Sequence, residues 1–557
     1  MSGGMAPAGS ARMRPDLLIV GAGPVGLSLA LFALRAGLAP RIVDRAPGPS
    51  QHSKAVGLQY RVSELLACLG LADRFKAAGT SPGLVNMYAG RERLLSVAFA
   101  DFSALAGRGA FVPAAIMIPQ SETERLLGEA LREQGCAVEW NTALAGLRQD
   151  AASVIATLCG AGGETEEVSV PWLAGCDGAH SSVRKLAGLG FAGKSYPLSF
   201  AIADVESAWP EDHGSVHVWF HRDGSAAAMP LPGRRRWRLF VETTQQLAGN
   251  AAAPEIDSAE LRRMMRARTG NGDADIGRCL WRSDFRINCR MVDRFRAGRV
   301  FVAGDAAHIH SPTGGQGITT GIQDAANLAW KLARVRDGAP DSLLDTYGEE
   351  RHAHARAVLA ETDRNTRVFV APTPWLRFLR DRLVLPLLRR PGVQRRLVRK
   401  LSQLDMNHRE SPLSQHRDAG RPRAALRAGD RAPDIRFAQA RGGADLRLFD
   451  LLGRGRLAAL LGAGVPPETA SAAARALDSL GVATHTVAGQ RVRGAAGAVL
   501  VDAEGEFARL FGLEGDFLCI VRPDGYVGLI QRPLALAPLR DWLGRVSSPS
   551  AVAAAFA

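Results

Sequence analysis

Cysteine is scarce in this sequence and never occurs in a paired motif. The chain has 557 residues and only seven cysteines, none of which belongs to a C-x-x-C pattern. An odd, unpatterned count of cysteines fits a reducing compartment better than a disulfide framework. No group of histidines and cysteines has the spacing of metal ligands, so we expect no bound metal.

Long apolar runs are also missing. Residues 1–15 contain no apolar stretch of the kind found in secretory signal peptides, and we expect them to form a mobile tail. The apolar run at residues 27–34 is too short to span a bilayer. The sequence therefore predicts a cytoplasmic protein without a membrane anchor.

Acidic residues are in deficit, since 55 Asp and Glu stand against 69 Lys and Arg, a formal net charge of +14. The chain nevertheless has no zinc-finger, RRM or basic-zipper pattern, so we expect no nucleic-acid partner. Residues 376–400 hold nine basic residues and one acid. An anionic membrane or an acidic partner would suit this segment, but a solvated helical face or a subunit contact is the favoured interpretation.

Glycine, by contrast, is abundant, and one cluster follows the first predicted strand. The sequence DLLIV at residues 16–20 precedes GAGPVG at residues 21–26, and a helix and a second strand ending at Asp44 come next. A glycine loop that opens a helix lets the backbone approach a pyrophosphate, and an acid about twenty residues further on can bind a ribose. The predicted nucleotide contacts are Gly21, Gly23, Pro24, Gly26 and Asp44.

A second cluster, GDAAHIHSPTGGQG, begins at residue 304 after the apolar strand RVFVAG. Asp305 at the end of that strand can bind a polyol, and the glycines behind it leave room for a flat ring. A helix that starts at Gly317 would place a partial positive charge next to that ring. Two distant segments that hold the ends of one long molecule indicate FAD. The predicted flavin contacts are Pro312, Gly314, Gly315, Gln316, Gly317 and Ile318.

GAGPVG, CDGAHSSVRK and the GDAAHIHSPTGGQGITTG segment together resemble the GxGxxG, DGxxSxxR and GD motifs of single-component FAD-dependent aromatic hydroxylases. These enzymes have the p-hydroxybenzoate hydroxylase fold. LLDTYGEERHAHARAV and VRPDGYVGLI resemble the phenol-hydroxylase-type subgroup, which carries a C-terminal thioredoxin-like domain. The resemblance implies that Asp177 and Arg184 serve FAD and NAD(P)H binding. It adds three FAD-contacting positions, which are Arg45, Lys54 and Gln120.

The chain departs from the family pattern at two positions. Lys54 stands where the family usually has arginine, which keeps the charge but loses the planar fork. Thr319 stands where the family has asparagine, so a flavin contact there is expected to differ.

The activity implied by the resemblance is hydroxylation of a small phenolic or related aromatic compound. NAD(P)H would reduce FAD, O2 would give a flavin C4a-hydroperoxide, and its distal oxygen would attack the ring. One alternative is an FAD-dependent oxidoreductase that does not insert oxygen. Another is a non-catalytic flavin-binding protein associated with a membrane or with regulation. Formation of a homodimer stays open.

Two histidine-containing stretches require separate interpretation. In SVHVWFH, the side chains of His217, Trp219 and His221 share one strand face. They could stack on a phenol and accept its proton, or they could form the solvated face of a sheet. His308, in the second glycine cluster, is interpreted as a structural histidine rather than a ligand or base.

The predicted fold class is α/β, with a doubly wound Rossmann-like FAD-binding domain, an antiparallel-sheet substrate domain and a C-terminal thioredoxin-like α/β domain. The FAD-binding domain should comprise residues 14–190 and 291–375, and residues 81–118 of it should add a hairpin to the substrate domain at 191–290. A basic helical connector at 376–427 would lead to the last domain at 428–548. That domain has one cysteine, Cys519, in an apolar strand, so we expect it to be redox-inert and to serve packing or subunit contacts.

Overall fold

The computed structural model describes residues 14–50, 55–98, 115–209, 211–243, 256–271, 276–311, 315–370, 373–418, 426–439, 445–452, 455–489 and 498–557. Lys54, Pro312 and Gly314, three of the predicted FAD contacts, lie outside these ranges. The described residues form an α/β fold, which confirms the predicted class. None of the helices in these ranges is both long enough and apolar enough to cross a membrane.

A six-stranded sheet, here called the first sheet, forms the centre of the nucleotide-binding fold. Its strands, in spatial order, are Arg296–Ala297, Val300–Val302, Trp172–Gly175, Leu17–Val20, Pro40–Val43 and Val138–Glu139. All neighbours are parallel except the first pair. Its apolar strands are buried because helices cover it, as in other parallel sheets. The packed helices are Pro24–Arg35, Gln120–Glu133 and Gly317–Arg336.

Parallel strands bring their carboxyl ends to one edge of this sheet. Gly21 follows the first strand, Cys176 and Asp177 follow Trp172–Gly175, and Gly304 follows Val300–Val302 by two residues. The three motifs that are far apart in the sequence therefore meet at the same edge, which is where ligands bind in open α/β sheets.

An eight-stranded sheet, here called the middle sheet, stands beside this edge. In spatial order its strands are His308–Ile309, Arg278–Val292, Phe191–Glu206, Arg236–Thr243, Ala226–Pro230, Ser215–Phe220, Leu84–Ala89 and Glu92–Ala98. Its pairs are antiparallel except for Ser215–Phe220 with Leu84–Ala89. Leu84–Ala89 and Glu92–Ala98 form a hairpin in the described part of residues 81–118, and this hairpin joins the middle sheet. The helix Ser258–Thr269 covers one face, which leaves the other face for the site.

The remaining elements of the first half are short. A small sheet consists of Ala143–Gln149, Val154–Cys159 and Thr165–Val170, and Gly57–Leu58 pairs with Ile116–Met117. The helices Tyr60–Cys68, Ala72–Ala78 and Ser182–Leu186 connect these strands, and the helix Asp345–Val370 follows the turn Asp341–Leu344.

The connector is helical, as the sequence predicts for residues 376–400. It runs through Pro374–Leu379, a π-helical turn at Arg380–Val384, Leu385–Leu387 and Pro391–Leu401. Leu385 and Val398 pack against residues of the middle sheet, so one side of the connector is fixed to that sheet.

The C-terminal part contains a mixed sheet of eight strands. In spatial order they are Gln415–Arg417, Val527–Gln531, Leu518–Val521, Ala458–Gly462, Ala483–Ala488, Ala498–Val501, Arg436–Gln439 and Leu446–Arg447. The helices are Leu448–Leu452, Pro467–Ser479, Glu506–Phe511, Leu536–Val546 and Pro549–Ala555. Cys519 is fully buried between Leu460 and Ile530 of the neighbouring strands. Its redox inertness stays a prediction.

A buried network of charged side chains joins this sheet to the nucleotide-binding fold. Arg522 donates to both carboxylate oxygens of Glu350, at 2.7 and 2.8 Å, and Lys331 donates to Glu350 at 2.9 Å. Asp524 accepts from Asn327 and from the indole of Trp330. Burial alone would raise the pKa of Glu350, but Arg522 and Lys331 hold it well below its ordinary value. Such a paired network fixes the orientation of the two parts because either charge alone would be costly to bury.

Candidate active site

The first glycine loop divides its glycines between packing and access. A Cβ on Gly21 would lie 2.4 Å from the carbonyl oxygen of Cys176, and one on Gly26 would lie 1.9 Å from the oxygen of Gly21. At Gly23 a Cβ would meet nothing within 4 Å. Gly21 and Gly26 therefore allow the strand and helix to approach each other, whereas Gly23 leaves its backbone open to a ligand in the adjacent cavity.

Asp44 is held against this loop. Its Oδ2 accepts from the amide of Ala22 at 2.7 Å, and its Oδ1 accepts from Ala46 at 2.8 Å. Each carboxylate oxygen can accept a further hydrogen bond, so binding of a ribose hydroxyl is compatible with these contacts. Arg45 next to it is exposed.

The turn Gly304–Ala306 carries Asp305 on the cavity wall. Behind this turn, the buried carboxylate of Asp324 accepts from the Gly304 amide at 3.0 Å and from Arg351 Nε at 2.6 Å. His308 Nε2 lies 2.7 Å from the same carboxylate. His308 thus belongs to the packing behind the turn, in line with its structural interpretation, and Asp324 fixes the position of the turn that carries Asp305.

Asp177 and Arg184 brace the site rather than line the cavity. Asp177 accepts from the Ser181 hydroxyl at 2.5 Å and from the Ser182 amide at 2.7 Å, so it supports the first turn of the helix Ser182–Leu186, whose N-cap residue is Ser181. Arg184 donates to the carbonyl of Ala306 at 3.0 Å. It therefore connects the CDGAHSSVRK segment to the turn that carries Asp305. A direct contact of either residue with FAD or NAD(P)H stays a prediction.

The glycines and the middle sheet enclose one cavity of about 600 Å³. At one end it is lined by both glycine segments, including Gly23, Pro24, Gly178, Asp305, Gly315, Gln316, Gly317 and Ile318, and Gln120 lies on its wall. At the other end the wall is apolar and is made by Val85, Met87, Ile202, Val216, Val218, Met229, Phe240 and Phe285. Leu397, Val398 and Leu401 of the connector complete it.

His217, Trp219 and His221 are not on this wall. Along Ser215–Phe220 the side chains alternate, and it is Val216 and Val218 that line the cavity. His217 and Trp219 are buried on the opposite face, where Nδ1 of His217 lies 3.0 Å from the hydroxyl of Tyr88. His221 lies beyond the strand, with Nδ1 3.5 Å from Asp223. The interpretation of these three residues as substrate contacts is therefore wrong, because the other face of the strand meets the cavity.

His310 is a cavity residue that the sequence reasoning missed. Its Nδ1 lies 2.9 Å from the carbonyl oxygen of Ser311, and Nε2 has no hydrogen-bond partner among the described residues. Burial lowers the pKa of His310 to about 4, so the ring is neutral near pH 7. A neutral ring whose Nδ1–H donates to a carbonyl presents Nε2 as an acceptor. The available signal was its position two residues after His308, directly after the short strand His308–Ile309.

The departure at Thr319 also has a structural consequence. Its hydroxyl is fully buried and accepts from the amide of Gln59 at 3.1 Å. Next to it, Gln403 of the connector donates to Gln316 Oε1 at 3.1 Å. The start of the helix Gly317–Arg336 is thus fixed by side chains from two other parts of the chain.

These residues fit an FAD molecule. Added Cβ atoms at Gly23 and Gly178 would meet open space in the cavity, so a pyrophosphate or ring can approach the backbone. Nε2 of Gln316 is buried and lacks a partner among the described residues, which leaves a donor for a ring carbonyl. Asp305 offers an acceptor for ribityl hydroxyls, and a 20-residue helix starts at Gly317 with its positive dipole end at the cavity.

Comparison with known proteins agrees with this fit. The profile of the family described as FAD binding domain matches residues 14–362. A flavin-dependent monooxygenase of Mycobacteroides abscessus is 36% identical over 78% of this chain and 86% of its own length. Pentachlorophenol 4-monooxygenase of Sphingobium chlorophenolicum is 32% identical over 92% of this chain and 93% of its own.

The fold is also that of solved enzymes. Aklavinone-11 hydroxylase, whose structure holds FAD and aklavinone, superposes with a TM-score of 0.77 at 26% identity, over 96% of this chain and 98% of that one. The cofactor is therefore FAD, and the resemblance read from the three motifs is confirmed. The chain belongs to the FAD-binding-domain family, among the flavin-dependent monooxygenases of aromatic compounds.

Proposed function

We propose that this enzyme hydroxylates an uncharged phenolic or related aromatic compound with FAD, NAD(P)H and O2. The observation that carries the proposal is the single cavity that joins the glycine-lined end to an apolar face of the middle sheet. A flavin at the first end and an aromatic ring at the second would be in contact.

The bound cofactor supplies the redox chemistry, namely acceptance of hydride from NAD(P)H and activation of O2. The chain's own residues position and insulate it. Asp305 would accept hydrogen bonds from the ribityl chain, and Gly23 and Asp44 would hold the nucleotide end. The N-terminus of the helix Gly317–Arg336 stabilises negative charge on the reduced ring. The valines, methionines and phenylalanines of the sheet keep water away from the reacting atoms.

The chemistry of the wall favours an uncharged substrate. Among the described residues that line the cavity there is no Lys or Arg, and Asp305 is the one acid. A carboxylate substrate would find no cation among these described residues, and an unpaired buried charge is costly. A phenol needs only one acceptor for the hydrogen bond of its hydroxyl group, and Nε2 of neutral His310 is such an acceptor without a partner among the described residues. Pentachlorophenol 4-monooxygenase, by its name, acts on a phenol, which supports the same substrate class.

A paired substrate screen tests this proposal. FAD-loaded enzyme is mixed with NADH or NADPH and with phenols that differ only in whether they carry a carboxylate. We expect the neutral member of each pair to stimulate NAD(P)H oxidation more and to give a product one oxygen atom heavier. Preference for the carboxylated members would contradict the proposed substrate class, and stimulation without any heavier product would favour the oxidoreductase that does not insert oxygen.

A further inference from the structure

The connector carries most of the exposed apolar surface of the molecule. Among the described residues, eight large apolar side chains are exposed, and five of them lie in residues 375–387, where the connector helices begin. We call these five the connector patch; they are Trp375, Leu376, Phe378, Leu383 and Leu387. The exposed fraction is 67% for Trp375 and 60% for Leu383. Contiguous exposed apolar residues mark an interaction surface rather than an ordinary solvated face.

Basic residues surround this patch. Residues 376–400 hold nine Lys and Arg and a single acid, Asp381, which pairs with Arg380 at 2.7 Å. Arg382 lies between Phe378 and Leu383, and Arg390 follows Leu387; both are exposed. The partner should therefore combine an apolar interior with negative charge at its surface.

The aromatic residues of the patch have the arrangement expected at an interface with lipid. The rings of Trp375 and Phe378 stack with centroids 5.6 Å apart and stay exposed together. Helices that lie on a bilayer combine such aromatic and leucine side chains with Lys and Arg. Each helix of the connector is too short to span a membrane, and the segment is strongly charged. The surface would therefore lie in the plane of the interface.

The other side of the connector reaches the cavity. Leu397, Val398 and Leu401 line the cavity wall, and Leu385 packs in the same apolar cluster as Val398. A surface docked through the patch would therefore sit close to the end of the cavity that takes the aromatic ring.

We propose that the connector patch docks the enzyme on an anionic lipid bilayer. A second copy of the chain is a poorer partner on charge. A two-fold contact of the patch with itself would set basic residues against basic residues, and the whole chain carries +14. An anionic bilayer satisfies both the apolar side chains and the arginines.

Sedimentation with vesicles tests the proposal on the full-length FAD-loaded enzyme. Vesicles of equimolar phosphatidylcholine and phosphatidylglycerol are compared with vesicles of phosphatidylcholine alone. We expect binding to the anionic vesicles that falls as salt rises. The double variants Trp375→Ser/Phe378→Ser and Arg382→Gln/Arg390→Gln should each weaken it on the order of tenfold.

Matched controls remove the same chemistry elsewhere. Leu186→Ser/Leu280→Ser changes two exposed apolar residues outside the connector, and Arg222→Gln/Arg294→Gln removes two exposed charges; both should bind as wild type does. Flavin absorbance and NAD(P)H oxidation check that every variant is folded. Equal binding to both kinds of vesicle, or equal loss in the controls, would overturn the proposal. So would a dimer that Trp375→Ser/Phe378→Ser dissociates, if anionic vesicles do not bind the wild type.

Discussion

Gly23→Ala should separate the stability of the protein from its affinity for FAD. The backbone at Gly23 has φ of −72° and ψ of −177°, which alanine adopts without strain, and a Cβ there would meet nothing within 4 Å. Replacing such a glycine removes freedom from the unfolded chain and typically stabilises by about 0.4–1 kcal/mol. We therefore expect the FAD-free variant to be as stable as wild type or slightly more stable.

The affinity of Gly23→Ala for FAD should instead fall. The new methyl group would occupy the open space through which a pyrophosphate approaches the loop. Loss of one hydrogen bond to a charged group costs about 1.5–3 kcal/mol, which raises the Kd for FAD roughly ten- to hundredfold. Gly26→Ala should differ, because its Cβ would lie 1.9 Å from the oxygen of Gly21 and the loop itself would have to move.

Two measurements check this prediction. Urea unfolding of the FAD-free protein reports stability, and titration of FAD followed by its fluorescence reports affinity. Gly48→Ala is the matched control, since a Cβ there also meets open space but the residue does not line the cavity; it should leave FAD affinity unchanged. Wild-type FAD affinity in Gly23→Ala would refute the placement of the nucleotide at this loop.

Three further changes test other parts of the account. Asp305→Ala should lower FAD affinity by about 1–3 kcal/mol, because a ribityl hydroxyl would lose its acceptor; unchanged flavin content would reject the role of Asp305. Burial raises the pKa of Asp434 to about 7, so stability present below about pH 4 is lost as pH rises through about 7. Asp434→Asn should flatten this loss in pH-dependent unfolding, and an unaltered profile would contradict the assignment. Cys519→Ala should keep hydroxylation and cost about 1 kcal/mol of stability; a disulfide reductase activity that disappears in this variant would show a redox role instead.

The parts of the site that follow strands could be predicted from the sequence. The apolar strand before Gly21 and the one before Gly304 are short, continuous and bounded by glycine, so their positions in a parallel sheet follow from local pattern. The meeting of both loops at one sheet edge then follows from the topology. Whether each glycine packs or gives access did not follow, because the neighbour of Gly21 is Cys176, which is distant in the sequence.

The strand Ser215–Phe220 shows where local pattern is insufficient. Neither of its faces is open to bulk solvent. Val216 and Val218 line the cavity on one face, and His217 and Trp219 are buried on the other. Period two assigns residues to faces but does not say which face meets the cavity. That choice depends on the helix Ser258–Thr269, which covers the face of Trp219.

Long-range polar contacts could not be predicted from the sequence either. Lys331, Glu350 and Arg522 come from three segments, and no spacing in the sequence connects them. The motif predicts a cofactor contact for Asp177, which stays a prediction, but it did not predict that the carboxylate accepts from the amides of Ser182 and Val183. The connector residues Leu397 and Leu401 reach the cavity because helix packing, not sequence proximity, places them there.

The most direct test of the central account is the source of the oxygen atom in the product. FAD-loaded enzyme turns over a neutral phenol with NAD(P)H under isotopically labelled O2, and the product is analysed by mass spectrometry. A cavity that joins the flavin end to an apolar aromatic site predicts one labelled atom in each hydroxylated product molecule. If NAD(P)H is consumed and all the label appears in peroxide or water for every phenol that binds, the account is contradicted.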